Sequence, residues 1–282
     1  MAAPSPLRRV LSQRRVRLAY HSLRVGVRGS VNEFLRNILA PSCGTLASYA
    51  IRRIEPAGDL MRVWLQSETD PLYYPIGMDA RLLHMVICEQ CFTWNWHYYR
   101  APETTVSQDD VVFDCGSAEG LFAFLVRRQA RRIHCFEPLA AFHKAFSATF
   151  ANYANITLSP VALSRAPGTA VLSGGGLTAC LDGGYENVEA AAVQVESVDS
   201  FCASHRIEPT YIKADLEGHE YEFLEGAAET LSRRPRLAIT TYHRKGDAER
   251  LSGLIRRICP AYSFRFRGLE ATWGDPVLMH AW

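Results

Sequence analysis

From residue 110 to the C-terminus, short apolar runs alternate with stretches whose apolar positions recur at helical spacing. The runs over 111–115, 133–136, 156–158, 211–215 and 237–242 are short and nearly continuous in apolar residues, which predicts buried strands. Between them the spacing predicts helices over 119–130, 139–153, 220–231 and 247–258. Strand and helix in strict alternation mean a parallel sheet with helices on both faces. Residues 161–163 form the exit of the third strand, and 169–172 with 192–196 read as two further strands. Gly174-Gly175-Gly176 and Gly183-Gly184 lie between those two, as a hairpin-like excursion. Residues 262–266 and 277–281 close the sheet, one of them antiparallel.

The first third of the chain is less regular. Residues 61–65 alternate as a strand, Asp70-Pro71 opens a turn, and Leu82, Leu83, Val86 and Ile87 predict an amphipathic helix over 79–90. The aromatic run from Trp94 to Tyr99 reads as core packing, with a substrate-facing wall as the lesser reading. Residues 1–30 carry seven arginines and no acid, the first acid being Glu33, so a solvated basic extension is expected. An organellar transit peptide shares that composition. The division expected is therefore 1–60 as the extension, 61–108 as a strand-and-helix cap, and 109–282 as the main domain.

Composition narrows the picture only slightly. A net charge of +2 implies no strongly charged partner. Eight scattered cysteines make no disulfide framework, and Cys88-x-x-Cys91 has no second pair at zinc-finger distance, which points to a reducing, cytoplasmic setting. No run reaches the apolar length of an integral membrane segment.

The chemistry concentrates where the strands end, because ligands of open α/β sheets bind outside their carboxyl ends. Asp114-Cys115-Gly116-Ser117-Ala118-Glu119-Gly120 is a glycine-bearing turn after the first core strand, and Glu137-Pro138 ends the next strand. Glycine lets backbone approach a ligand closely, and a carboxylate on the neighbouring strand accepts from ribose hydroxyls. The turn is not the G-x-G-x-x-G phosphate fingerprint, and Glu119 within it would repel a pyrophosphate. A nucleoside with a zwitterionic tail, S-adenosyl-L-methionine, fits better. Gly116 and Gly120 would admit the tail, with Ser117 beside them, and Asp114 would receive its ammonium group. Glu137 would hold the ribose, and Val161 and Ala162 would lie near the adenine. At the other strand ends stand Asp215, Glu217, His219, Tyr242 and His243.

Three segments resemble the FkbM-type methyltransferases: 112–120, 195–201, and Ile212-Lys213-Ala214-Asp215-Leu216-Glu217-Gly218-His219-Glu220, continuing to Leu224-Glu225-Gly226-Ala227. The resemblance covers roughly residues 60 to 282. It implies a seven-stranded Rossmann-like class I methyltransferase sheet, S-adenosyl-L-methionine as donor, and O-methylation of a glycan or small natural product. Many members carry Ala-Asn where this chain has Ser117-Ala118, so a contact to the cofactor differs there.

An alcohol is a weak nucleophile while protonated, so a base at the rim is worth about 10²–10⁴-fold, beside about 7–11 kcal/mol from orientation. His219 is the first candidate base, oriented by Asp215, and His243 the second. Lys213 lies within a central strand and must find an acid. Asp199 is expected to cap a helix. A metal centre of Asp215, Glu217 and His219 is the lesser reading, and no metal is expected. Two rivals remain: an NAD(P)-dependent oxidoreductase, and a non-catalytic module keeping a vestigial cofactor fold. A nucleic-acid acceptor is not expected. Base N-methylating enzymes commonly show Asn/Asp-Pro-Pro-aromatic where this chain has Asp215-Leu216-Glu217-Gly218, and no dense basic stripe is present.

Overall fold

A computed structural model describes residues 14–26, 29–173, 180–181 and 191–282. Helices α1 (Arg14–Val25), α2 (Val31–Leu39) and α3 (Cys43–Ala50) come first, the latter two started by Ser30 and Ser42, whose hydroxyls accept from Glu33 N and Thr45 N. Strands β1 (Ile51–Ala57), β2 (Leu60–Leu65) and β3 (Leu72–Pro75) form a three-stranded antiparallel sheet. Helix α4 (Ala80–Cys91) follows, capped by Asp79.

The main domain then runs β4 (Val111–Cys115), α5 (Leu121–Val126), β5 (Arg132–Phe136), α6 (Ala140–Phe150) and β6 (Ile156–Ser159). After it come β7 (Val161–Leu163), β8 (Gly168–Ser173), β9 (Cys180–Leu181) and β10 (Ala191–Glu196). The chain closes with α7 (Val198–His205), β11 (Tyr211–Ala214), α8 (Glu220–Glu225), α9 (Ala228–Ser232), β12 (Arg236–Thr240), α10 (Asp247–Ile258), β13 (Phe264–Arg267) and β14 (Leu278–Ala281).

Seven strands make the principal sheet, in the order β13-β14-β12-β11-β4-β5-β6. The strands from β12 to β6 are parallel, and β14 runs antiparallel between β12 and β13. Side chains alternate across the sheet. Val112, Ile133, Cys135, Tyr211 and Ala238 pack on one face with α4, α5, β2 and β3. Val111, Phe113, Ile212, Leu237 and Ile239 pack on the other with α7, α8 and α10. Strands β7, β10, β8 and β9 form a separate four-stranded sheet, which takes residues 161–163 out of the principal one.

Several boundaries differ from the sequence reading. The helix expected from 119 starts at Leu121, because Gly120 at φ +86° is its N-cap. The helix expected over 220–231 is broken into α8 and α9 at Gly226, where a Cβ would lie 2.1 Å from the Ser164 carbonyl oxygen. Residues 14–50 are not a solvated arm. Leu18 packs with Trp96, Leu269 and Val277, and Glu33 takes the buried guanidinium of Arg267 at 2.8 and 3.0 Å. The glycine loop at 174–176 and 183–184 lies outside the described residues, as do residues 1–13. Among the described residues no helix is long and apolar enough to cross a membrane, and every cysteine whose side chain is described is free.

Candidate active site

From β4 the chain steps outward to β5 and β6, then returns to add β11 and β12 on the other side of β4. The crevice of such a sheet lies at that reversal, outside the ends of β4 and β11. Gly116 and Asp215 meet there: a Cβ on Gly116, at φ +71°, would stand 2.0 Å from the Asp215 carbonyl oxygen. The glycine is thus required by the neighbouring strand's backbone. Above this point lies a cleft, open to solvent, of about 1040 Å³ of non-atom space counting the solvent at its mouth.

The lining of the cleft is part apolar, from Leu139, Phe142, Val161, Ala162, Leu163 and Leu172, and part acidic, from Glu89, Glu119, Glu137, Asp215 and Glu217, with Lys213 as their basic neighbour. The wall formed by Met85, Val86, Glu89 and Gln90 comes from α4, within the 61–108 segment read from sequence as a cap and possible substrate wall. The run from Trp94 to Tyr99 does not line the cleft. Trp96 and Tyr99 are buried, as the core reading had it.

Glu137 leaves the end of β5 and turns toward the first loop. Its carboxylate accepts from Ala118 N and Leu139 N, both at 2.8 Å. Ala118 reaches that position through φ +47°, a conformation asparagine tolerates better than alanine. Burial pushes Glu137 up to about 7, against the two backbone donors that favour its charged form. Glu119 is also buried, and desolvation lifts it to about 7. Ser117 borders the same cleft, its buried hydroxyl making no hydrogen bond to the protein. Pro138 lines it next to Glu137.

Two residues assigned to the cofactor from sequence stand elsewhere. Asp114 is fully buried beneath the loop, on the face of the sheet, and pairs with Lys213 Nζ at 3.1 Å. Its strand position is the reason: residue 114 projects from one face of the sheet beside Lys213, one residue before β4 ends. Lys213 also donates to the Gly116 carbonyl at 2.6 Å, so the pair that sequence predicted for the lysine braces the loop from below. Gly120 meets Phe146 and Phe150, whose rings a Cβ would contact at 3.0 and 2.7 Å; it serves helix packing.

At the end of β11 the expected partnership of Asp215 with His219 is not formed. Asp215 instead accepts from Tyr99 Oη at 2.7 Å and Thr240 Oγ1 at 3.2 Å, and faces His243 Nε2 at 3.6 Å. His243 Nδ1 pairs with Glu220 Oε1 at 2.8 Å, and Nε2 stands 3.5 Å from Glu217 Oε2. Burial alone would push His243 down, but Glu220, Asp215 and Glu217 outweigh it and lift the imidazole to about 10. His243 does not line the cleft, its Nδ1 is taken by Glu220, and these carboxylates favour its charged form, all of which speak against its reading as the second base. Burial likewise raises Glu217 to about 7, with repulsion from Asp215 adding to it. The metal-compatible grouping among the described residues is Asp215, Glu217 and His243, with His243 in the place sequence gave to His219.

His219 lines the cleft at the start of α8, and its Nε2 lies 2.7 Å from Ser164 Oγ. Its Nδ1 is 3.8 Å from Glu222. Asp199 does cap a helix, although not its own. Ser197 caps α7, while Asp199 accepts from Glu229 N, Thr230 N and Thr230 Oγ1 at the start of α9.

A central five-stranded parallel array closed by an inserted antiparallel strand, with an acid-rich cleft at its switch point, defines a class I methyltransferase fold. The chain belongs to the FkbM methyltransferase family: residues 114–266, more than half its length, match the methyltransferase FkbM domain. Among solved structures it is similar to methyltransferase FkbM from Methylobacillus flagellatus, at 21% identity over 72% of this chain and 54% of that one, with a TM-score of 0.48. This chain thus spans about half the length of that protein. An rRNA methylase from Streptococcus thermophilus aligns at 14% identity over 62% of this chain and 87% of its own, TM-score 0.41. A Streptococcus mutans protein in complex with SAH aligns at 10% identity over 62% and 89%, TM-score 0.38. No curated protein matches the sequence.

Proposed function

We propose that the protein is an S-adenosyl-L-methionine-dependent O-methyltransferase acting on a hydroxyl of a glycan or small natural product. The observation that carries this reading is the mixed lining of the cleft: apolar side chains suited to a purine together with carboxylates suited to a cationic donor, Glu119 and Glu137 among them buried. When bound, the donor supplies a methyl group already activated on a sulfonium. Glu137 would accept from the ribose hydroxyls, its direction fixed by its two backbone donors. Leu139, Phe142, Val161 and Ala162 offer apolar contact to the base. Glu119, with the carboxylate side of the first loop, replaces Asp114 as the acid facing the donor's ammonium group. The same Glu119 disfavours a dinucleotide, since its buried carboxylate would face a pyrophosphate.

His219 is the residue we assign as the proton acceptor. It lines the cleft, and its Nε2 is engaged by Ser164 Oγ at 2.7 Å, a contact the acceptor hydroxyl would displace. Isothermal titration with S-adenosylhomocysteine tests the donor site: binding to the wild type should be lost in Glu137→Ala, and unchanged affinity would remove the pocket assignment. For His219→Ala, turnover of an identified acceptor should fall by about 10²–10⁴-fold with donor affinity retained. A variant as active as wild type removes the base.

A further inference from the structure

Beside the donor cleft, His243 presents an unusual arrangement. Its side chain is 8% exposed, Nδ1 is engaged by Glu220, and Nε2 makes no hydrogen bond. That nitrogen points between Asp215 Oδ1 at 3.6 Å and Glu217 Oε2 at 3.5 Å. Such separations exceed a hydrogen bond. They match two ligand atoms held at about 2.1 Å from one ion, which in tetrahedral geometry stand about 3.4 Å apart. All three donor atoms lie within 4.8 Å of one another.

From this geometry we infer that Asp215, Glu217 and His243 form a binding site for a divalent transition-metal ion, open toward the cleft. The surroundings are those a metal site needs. A metal-bound histidine donates its other ring N–H to a carboxylate, which fixes tautomer and orientation; Glu220 does this for His243, and is itself held by Leu216 N at 2.9 Å and Thr240 Oγ1 at 3.2 Å. Tyr99 holds the second oxygen of Asp215. One imidazole with two carboxylates suits divalent first-row ions; Mn(II), which favours the carboxylates and accepts the imidazole, serves as the probe. The ion would replace the proton on Nε2, which passes to solvent. Asp215 and Glu217 line the cleft, whereas His243 lies behind them, so the remaining coordination positions face the ligand space. There the ion would hold acceptor oxygens in place. This last role rests on the methyltransferase reading; the ion's binding does not.

The test uses the full chain, stripped with chelator and titrated with MnCl₂ while the signal of free aqueous Mn(II) is followed by electron paramagnetic resonance. One ion per chain should bind, pulsed measurements on the wild-type complex should show coupling to a directly bound imidazole nitrogen, and Glu217→Gln should weaken affinity by about 10–100-fold. The nitrogen coupling needs no variant, so a misfolded substitution cannot obscure the answer. No uptake up to about 1 mM, bound Mn(II) without nitrogen coupling, or an unaltered affinity in a folded Glu217→Gln variant would overturn the site. Titration of the same stripped protein with S-adenosylhomocysteine reports separately on the donor cleft, so a failure of the methyltransferase reading and a failure of the metal site give different results.

Discussion

Replacing Lys213 by methionine isolates the forces that shape the cofactor loop. The substitution keeps the length of the side chain and removes its charge, leaving Asp114 fully buried without its cation. At the observed 3.1 Å separation, and with an effective dielectric of about 20, the lost attraction is about 5 kcal/mol. Removing one partner of a buried pair typically destabilises by about 3–5 kcal/mol, to which loss of the 2.6 Å bond to the Gly116 carbonyl adds. In equilibrium urea unfolding followed by tryptophan fluorescence, a slope of about 3 kcal/mol per molar converts this into a midpoint lowered by about 1–1.7 M. The double variant Asp114→Asn/Lys213→Met leaves no orphaned charge, so it should recover more than half of the loss. A midpoint lowered by less than about 0.3 M would refute the argument. So would a double variant no more stable than Lys213→Met alone.

Three further outcomes are expected. Gly116→Ala should destabilise by at least about 3 kcal/mol, from positive φ and from a Cβ driven into the Asp215 carbonyl, as measured by urea unfolding. Affinity for S-adenosylhomocysteine should fall by at least about tenfold between pH 8 and pH 6: Glu137 and Glu119 are both raised to about 7, the ribose and the ammonium group need their carboxylates, and binding therefore weakens as pH drops through that value. Glu137→Gln should make the profile shallower, leaving the part due to Glu119; a wild-type affinity independent of pH would contradict it. Asp199→Ala should lose about 1–2 kcal/mol in thermal unfolding with donor binding retained, because three hydrogen bonds at the start of α9 go with it.

The parts of the fold that could be read from sequence were those whose burial is complete. Strands β4, β5, β11 and β12 are covered on both faces, so they show as uninterrupted apolar runs. Strand β1 escaped because it is half exposed, with Arg52, Arg53 and Pro56 breaking any alternation. Gly226 figures in the family motif, but its break of the helix has no local sign, because its role, admitting the Ser164 carbonyl, is a contact across 62 residues of chain. At the site, Glu137 was legible since it terminates a strand. Asp114 was misplaced although the signal was present: it lies inside its strand, beside Lys213 in the register, and the lysine's need for an acid had been recognised. The pairing of Asp215 with His243 instead of His219 depends on the lateral neighbour of β11, which no local pattern encodes. The face α4 turns to the cleft is settled by packing alone.

The buried contact between Glu33 and Arg267 joins a residue near one terminus to a strand near the other, 234 positions apart. A shortened version beginning at residue 60 would abandon that guanidinium in an interior with no counter-ion and uncover Trp96 and Leu269, against which Leu18 lies. Cutting this protein down to residues 60–282 is therefore the wrong way to simplify it. Fusion tags and shorter versions need to respect the first helices as part of the folded body.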